Sequence, residues 1–139
     1  MLNVPLEDIM TENPVCVNEH VQLGDVSHLL LRHRINGVLV VKVNDENHLV
    51  GIFTTSDLLR LMDKALSKKH QRMAELKKMA KIPVGQVASR NVITLKKNDT
   101  VAKAVAVMHK KNVHTIPIYD KDRIVGVIGK HDILNMALA

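Results

Sequence analysis

Aromatic side chains are almost absent from this sequence of 139 residues: Phe53 and Tyr119 are the only two, and there is no tryptophan. Proteins that bind single-stranded nucleic acids stack the bases on aromatic rings, so this scarcity argues against such a binding surface. Hydrophobic residues nevertheless make up 46% of the chain. The sequence therefore predicts a folded protein with an aliphatic core rather than a disordered chain.

Cysteine and long hydrophobic runs are equally scarce. Cys16 is the only cysteine and cannot form an intramolecular disulfide, which indicates a reducing compartment. Because it stands between two valines, we expect a buried thiol rather than a nucleophile. The longest aliphatic runs, such as residues 38–41, are too short to cross a bilayer, and residues 1–8 have no features of a secretory signal. We therefore expect a soluble, cytoplasmic protein with no membrane span.

The excess of positive charge is concentrated in one segment. The chain has a formal net charge of +6, and residues 63–81 hold seven basic side chains against two acidic ones. Such a segment is either a solvated linker face or a surface for nucleic acid or an acidic partner. The first interpretation is favoured because lysines are common on exposed helix faces, and we do not expect nucleic acid as the main partner.

The sequence contains an internal repeat. A shift of 78 positions aligns three pairs of segments, and a shift of 75 aligns two more: residues 5–6 with 83–84, 15–17 with 93–95, 35–41 with 113–119, 49–53 with 124–128, and 57–59 with 132–134. Two copies of a unit of about 55 residues therefore account for most of the chain. We predict one unit over residues 1–66, a basic helical connector over residues 67–82, and a second unit over residues 83–139.

Each copy has the pattern of a helix, two strands and a second helix. Apolar residues at helical spacing begin with Leu23 in the first copy and with Val101 in the second. Two β-branched runs joined by an acidic turn follow, and a second helix begins near Ser56 or Lys130. In the first copy this helix extends into the connector, with a bend expected at polar residues 67–72. One unit alone would be only marginally stable, so we expect two α/β (α+β) units, packed sheet to sheet with pseudo-twofold symmetry.

Two equivalent segments place a strand directly before a helix. Residues 51–57 read GIFTTSD, and residues 126–132 read GVIGKHD. The backbone N–H groups at such a junction favour an anion, and Asp57 could accept hydrogen bonds from the two hydroxyls of a ribose. The same spacing of Thr54 and Asp57 is that of a capping box, in which both residues serve only the helix start. The residues alone leave both interpretations open.

The chain resembles a tandem pair of CBS domains, a Bateman module, from about Pro5 to its C-terminus. The resemblance rests on the two strand-to-helix segments that end in Asp57 and Asp132, on the strand entry at residues 113–118, and on the extended lead-in at residues 93–94. It implies that the units bind adenine nucleotides or adenosyl compounds in the clefts between them, and that modules pair into homodimers. We therefore expect a regulatory ligand sensor that takes AMP, ADP, ATP or a related adenosyl ligand and signals to an effector protein.

The resemblance also assigns residues to two clefts. In the first cleft, Thr54 and Asp57 would hold phosphate and ribose, and the wall, the adenine face and the cationic contacts would come from Ile52, Phe53, Ile93, His114, Pro117, Lys130 and His131. A second, weaker cleft would use Asp132 together with Val15, Asn36, Leu39, Val127 and Gly129. Because Gly129 stands where a hydroxyl residue belongs, we expect the second cleft to bind phosphorylated ligands less tightly. For His114, a phosphate contact and an ordinary polar position at a strand end are both open.

The sequence contains no recognisable catalytic constellation. His28 and His33 are five residues apart, as are His109 and His114, so neither pair shares a helix face as metal ligands do. No Ser/His/Asp or Cys/His order is present, nor is a glycine-rich phosphate loop of the nucleotide-hydrolase type. We therefore expect no enzymatic activity, metal or catalytic cofactor. A purely structural dimerisation module is a further alternative.

Overall fold

The computed structural model of the protein describes residues 3–138. Within them the chain forms five α-helices and seven β-strands. Their bounds are β1 Thr11–Glu12, β2 Cys16–Asn18, α1 Leu23–His33, β3 Gly37–Lys42, β4 Asp45–Thr54, α2 Thr55–Leu66, α3 Arg72–Ala80, β5 Leu95–Lys96, α4 Val101–Lys111, β6 Thr115–Asp120, β7 Arg123–Gly129 and α5 Lys130–Leu138. The mixture of helices with two small sheets confirms the predicted α/β (α+β) class.

The first compact unit consists of residues 15–91. Its sheet has the strand order β2-β3-β4, with β2 parallel to β3 and β4 antiparallel to it. Helix α1 is amphipathic and places Leu23 and Val26 against the sheet, where they share a core with Val38 and Phe53. Phe53 is completely buried there, so one of the two aromatic rings of the chain serves as a core residue.

The second compact unit, within the described residues, consists of residues 3–14 and 92–138. Its sheet has the order β1-β7-β6-β5, in which β5 is parallel to β6 and the other pairs are antiparallel. Ala104 of helix α4 packs with Ile116, Ile118 and Ile128 of the central strands, and all four are completely buried. The core is aliphatic, as the composition predicts.

Two short segments that precede the repeats complete the two cores. We call residues 3–14 and residues 83–91 the entry segments. Leu6 lies in a 3-10 turn near the N-terminus, yet it is completely buried in the core that residues 92–138 form. Val84, its equivalent under the shift of 78, is completely buried in the core of residues 15–91. The segment before each repeat therefore belongs to the unit of the other repeat. The spatial units thus hold different residues from the predicted sequence units 1–66 and 83–139, because a repeat in sequence does not report which entry segment fills which core.

Glycines at equivalent positions of the two sheets allow the entry segments to approach closely. Ile52 exchanges backbone hydrogen bonds of 3.0 and 2.9 Å with Ser89, and a Cβ atom on neighbouring Gly51 would collide with the carbonyl oxygen of Ser89. A Cβ atom on Gly126 would lie 2.9 Å from the carbonyl oxygen of Thr11. Glycine is needed at both positions because another main chain passes directly over them.

The helix that was predicted to run into the basic connector is interrupted at the polar residues where a bend was expected. Helix α2 ends at Leu66, and α3 begins only at Arg72, after Gln71 in the left-handed conformation (φ 58°). The hydroxyl of Ser67 donates a hydrogen bond of 2.7 Å to the carbonyl of Asp63, which closes the last turn of α2. Helix α3 then packs against α1 and α2 of its own unit.

Candidate functional site

The junction of β4 and α2 brings Thr54 and Asp57 together through three hydrogen bonds. The backbone N–H of Asp57 donates to Thr54 Oγ1 at 3.2 Å. The backbone N–H and the hydroxyl of Thr54 both donate to Asp57 Oδ2, each at 2.9 Å. The capping box that the spacing allows is therefore formed. It occupies one carboxylate oxygen of Asp57 and leaves the other, Oδ1, outside the box.

The second carboxylate oxygen of Asp57 holds an arginine on its own helix. Arg60 Nη2 donates to Asp57 Oδ1 at 3.1 Å. The side chain of Arg60 is 73% exposed and that of Asp57 only 13% exposed. Ion pairs with so exposed a partner are weak because water and salt compete for the charges. Sequence reasoning missed Arg60, although its spacing of three residues from Asp57 is a recognised helical pair.

Residues assigned to both predicted clefts lie side by side in the unit of residues 15–91. Leu39 is paired with Ile52 across β3 and β4, and the backbone N–H of Leu39 donates to the carbonyl of Val15 at 3.1 Å. The carbonyl of Asn36 accepts from the N–H of Thr55 at 2.8 Å, at the start of α2. Residues from both predicted clefts are thus linked by backbone hydrogen bonds within one unit.

Three residues that were predicted to line the clefts are buried. Phe53 is completely buried, and Leu39 and Ile52 are 2% and 8% exposed. The side chain of Phe53 packs in the core and offers no surface to a ligand, so we leave it out of the proposed site. The run of residues 51–53 is covered on both faces of the sheet, which alternation along the strand does not predict.

The equivalent junction in the other unit joins β7 to α5. The backbone N–H of Gly129 donates to Asp132 Oδ2 at 2.7 Å, as Thr54 does to Asp57. The other oxygen, Oδ1, accepts from the hydroxyl of Thr11 at 3.2 Å. A hydroxyl from strand β1 therefore stands beside Asp132, whose own junction has none. No local pattern predicts the contact, because the two residues are 121 positions apart.

The remaining predicted ligand residues also fall in this unit. The backbone N–H of Lys130 donates to the carbonyl of His114 at 3.2 Å, and Pro117 is paired with Val127 across β6 and β7. The side chains of three predicted cationic residues are exposed: His114, Lys130 and His131. Pro117 is completely buried and offers no surface to a ligand, and Ile93 is half-buried.

Cys16 does not lie in the core. The structure shows it exposed on β2, an edge strand of its sheet, so the expectation of a buried thiol is wrong. Its two valine neighbours do not determine its burial, because successive side chains of a strand point to opposite faces. Partial burial at the sheet edge and the Glu46 carboxylate both raise the pKa of the Cys16 thiol. The thiol is therefore protonated near neutral pH and a poor nucleophile.

Two further observations concern metal ions and membranes. In residues 3–138, no cluster of three or more His, Cys, Asp or Glu side chains is placed to hold a metal ion. Over the same part of the chain, none of the helices combines the length and the apolar character that a bilayer span requires.

Comparison with protein families gives two matches along this chain. A family model described as CBS domain matches residues 6–64 and again residues 84–139. Among curated proteins, MJ1225 of Methanocaldococcus jannaschii is 26% identical over 133 residues, which cover 95% of this chain and 46% of that protein. The chain thus spans about half of this relative, and it spans 22% of the L-aspartate semialdehyde sulfurtransferase of the same organism.

Solved structures of related proteins share the fold. The crystal structure of MJ1225, described as a proposed archaeal homologue of g-AMPK, superposes with a TM-score of 0.81 at 25% identity, covering 98% of this chain and 48% of that one. The CBS-domain pair of MJ0100, solved with 5′-methylthioadenosine and S-adenosyl-L-methionine, gives 0.76 at 25% identity over 96% and 95% of the two chains. CBSX2, solved with AMP, gives 0.77 at 20% identity over 96% of both chains, a likeness of fold alone.

Proposed function

The chain belongs to the CBS-domain family, and from this premise we propose that it is a regulatory module that binds an adenine nucleotide or an adenosyl compound. Similar CBS pairs were solved with 5′-methylthioadenosine, S-adenosyl-L-methionine or AMP. These ligands share an adenosine group with two neighbouring ribose hydroxyls. The proposal is therefore about the adenosine group, and AMP, ADP, ATP and the adenosyl compounds are its candidate ligands.

The observation that carries the proposal is the state of Asp57. One of its oxygens is bonded within the capping box, while the other is bonded only to the exposed side chain of Arg60 among the contacts described above. A carboxylate held rigidly at a helix start, with one oxygen facing an exchangeable partner, is suited to accept hydrogen bonds from a ribose diol. The amide groups at the start of α2 favour a nearby phosphate.

We further propose that Asp57 is the stronger of the two diol acceptors. Thr54 orients Asp57 with both its N–H and its hydroxyl, whereas Gly129 supplies only its N–H to Asp132. Ile93 and three exposed cationic residues of that unit are proposed to contact the base or the phosphate: His114, Lys130 and His131. These roles come from the family resemblance.

We propose that binding is read out as a change of conformation or of dimer arrangement that an effector protein detects. Such a signal requires the ligand to bind two states of the protein with different affinities. We propose a regulatory rather than a catalytic role for this module. The single cysteine supports a cytoplasmic location for the protein.

Exposed leucines support homodimer formation. Leu59 on α2 is 65% exposed, and Leu134 on α5, its equivalent under the shift of 75, is 48% exposed. Large apolar side chains at matching places on the last helix of each repeat are suited to pack against a second copy. Sedimentation velocity of the protein with and without AMP measures both the dimer and its response to ligand.

A thermal-shift screen tests the proposed function. The protein is heated with AMP, ADP, ATP, 5′-methylthioadenosine or S-adenosyl-L-methionine, and with GMP and GTP as controls for the base. A ligand at a hundredfold excess over its Kd adds about 2.7 kcal/mol to the free energy of unfolding, so a binder raises the Tm by several degrees. Equal melting temperatures with every adenine compound, at millimolar concentration, would reject the proposal.

A second candidate function rests on the basic segment. The following side chains are all exposed, and in the described part of the chain none of them takes part in an ion pair: Lys64, Lys68, Lys69, Arg72, Lys77, Lys78 and Lys81. Such a surface attracts an acidic partner by charge. A partner held in this way, DNA included, binds with a steep salt dependence. The absence of any DNA or RNA mobility shift at 20 mM salt removes the nucleic-acid form of this function.

A further inference from the structure

The carboxylates of Asp57 and Asp132 occupy equivalent positions but have different partners at Oδ1. In both, Oδ2 accepts a backbone N–H at the helix start, from Thr54 at 2.9 Å or from Gly129 at 2.7 Å. At Oδ1, Asp57 holds Arg60 and Asp132 holds the Thr11 hydroxyl. The residue equivalent to Arg60 in the second repeat is neutral Asn135. An arginine therefore accompanies this carboxylate in one repeat only.

A ribose diol needs more acceptor capacity than Asp57 has left. A carboxylate offers about four acceptor positions, two on each oxygen. The N–H and the hydroxyl of Thr54 take both positions on Oδ2, and Arg60 takes one on Oδ1. One position is then left for two ribose hydroxyls. A diol that bonds to Asp57 through both hydroxyls must therefore displace one of the three existing donors.

Arg60 is the donor that leaves most easily. Both bonds from Thr54 are partly buried and belong to the capping box, so their loss would weaken the start of α2. The bond from Arg60 is exposed, and the arginine side chain is 73% exposed. Its guanidinium can rotate away into the solvent without leaving a buried group unpaired. Exposed pairs of this kind are also screened by salt.

We propose that Arg60 competes with the ribose diol for Asp57 and so lowers the affinity of the site for adenosine compounds in a salt-dependent way. The inference rests on the proposed function, since it concerns the same carboxylate. Because exposed ion pairs are weak, the competition reduces affinity by roughly two- to fivefold at low salt. Arg60 thus makes binding at this site depend on ionic strength even for an uncharged nucleoside.

The test compares uncharged ligands that differ only in the diol. Adenosine and 2′,3′-dideoxyadenosine are titrated calorimetrically into the unmodified protein and into the Arg60→Gln variant at 20 mM salt. We expect Arg60→Gln to bind adenosine roughly two- to fivefold more tightly. We expect no change for 2′,3′-dideoxyadenosine, because a ligand without the 2′ and 3′ hydroxyls does not need the acceptor position that Arg60 occupies.

A matched ion pair elsewhere controls for the loss of one positive charge. Lys103 Nζ lies 3.2 Å from Asp99 Oδ1 at the start of α4, with 55% of the lysine side chain exposed. Lys103→Gln removes a similar exposed pair at a helix start and should leave adenosine affinity unchanged. A salt series provides a measurement without substitution: raising salt to 500 mM should bring adenosine affinity of the unmodified protein towards that of Arg60→Gln.

The outcomes separate this inference from the proposed function. If adenosine and AMP bind to neither protein, the proposed function fails and the inference fails with it. If adenosine binds but Arg60→Gln leaves its affinity unchanged or lowers it, only the inference is overturned. It is also overturned if 2′,3′-dideoxyadenosine gains as much affinity as adenosine, since the effect would then be independent of the diol.

Discussion

The hydroxyl of Thr11 donates a hydrogen bond of 3.2 Å to Asp132, which lies 121 positions later in the chain. Strand β1, which contains Thr11, pairs with β7 directly before the helix that carries Asp132. The contact therefore ties the N-terminal entry segment to the candidate site of its unit. It also occupies one of the acceptor positions on Oδ1 of Asp132.

A double-mutant cycle measures this contact. Thr11→Val removes the hydroxyl and keeps the shape of the side chain, and Asp132→Asn removes the carboxylate charge. Each single variant should lose about 1 kcal/mol in the free energy of unfolding, and the two losses should add incompletely, because both variants weaken the same hydrogen bond. Urea unfolding of the four proteins gives the coupling energy. Fully additive losses would show that Thr11 and Asp132 do not interact in solution.

A methyl group at Gly51 should displace an entry segment. The Cβ atom of Gly51→Ala would meet the carbonyl oxygen of Ser89, and main-chain atoms cannot move aside as a flexible side chain does. We expect a loss of about 1–3 kcal/mol in the free energy of unfolding. Gly129→Ser is the control: its Cβ atom would lie 3.5 Å from Asp132 Oδ2, an ordinary contact. Equal stability of Gly51→Ala and the unmodified protein would contradict the close approach of Ser89.

Protonation of Asp99 should make the protein less stable in acid. The backbone N–H of Lys96 donates to its Oδ2 at 2.8 Å, and with help from Lys103 it holds the pKa of Asp99 below its ordinary value, against a smaller opposite effect of burial. A lowered native pKa stabilises the fold above the unfolded pKa, and the contribution is lost as pH falls through the native one. Asp99→Asn should therefore cost about 1–2 kcal/mol at pH 7 and almost nothing at pH 2. A difference that stays constant with pH would contradict this.

Cys16 should react slowly with alkylating reagents although it is exposed. Partial burial, and in addition the Glu46 carboxylate, raise the pKa of its thiol, so little thiolate is present at pH 8. Glu46→Gln removes the negative charge, lowers the thiol pKa towards its ordinary value and should increase the rate with iodoacetamide. Glu75→Gln, on helix α3, is the control and should leave the rate unchanged. A faster reaction of the unmodified protein than of Glu46→Gln would reverse the predicted sign.

The repeat was predictable because the two copies can be compared directly in the sequence. The elements within each copy were predictable because their signals are local. Spacing of apolar residues marks α1 and α4, and the β-branched runs mark the four long strands. The exposure of Cys16 and the exchange of the segments that carry Leu6 and Val84 were not predictable, since both depend on which distant strand or core lies beside them. At the site, the spacing of Thr54 and Asp57 predicted the capping box, but the Thr11 contact depends on tertiary structure.

The proposed role of Asp57 is tested most directly by calorimetric titration of AMP into Asp57→Asn and, as the matched variant of the other unit, Asp132→Asn. Asparagine keeps the size of the side chain and removes the charge that strengthens hydrogen bonds from a diol. We predict that Asp57→Asn weakens AMP binding about tenfold or more, while Asp132→Asn has a smaller effect. Both variants are first shown to melt cooperatively. AMP affinity that is unchanged in Asp57→Asn, or lost only in Asp132→Asn, would contradict the account.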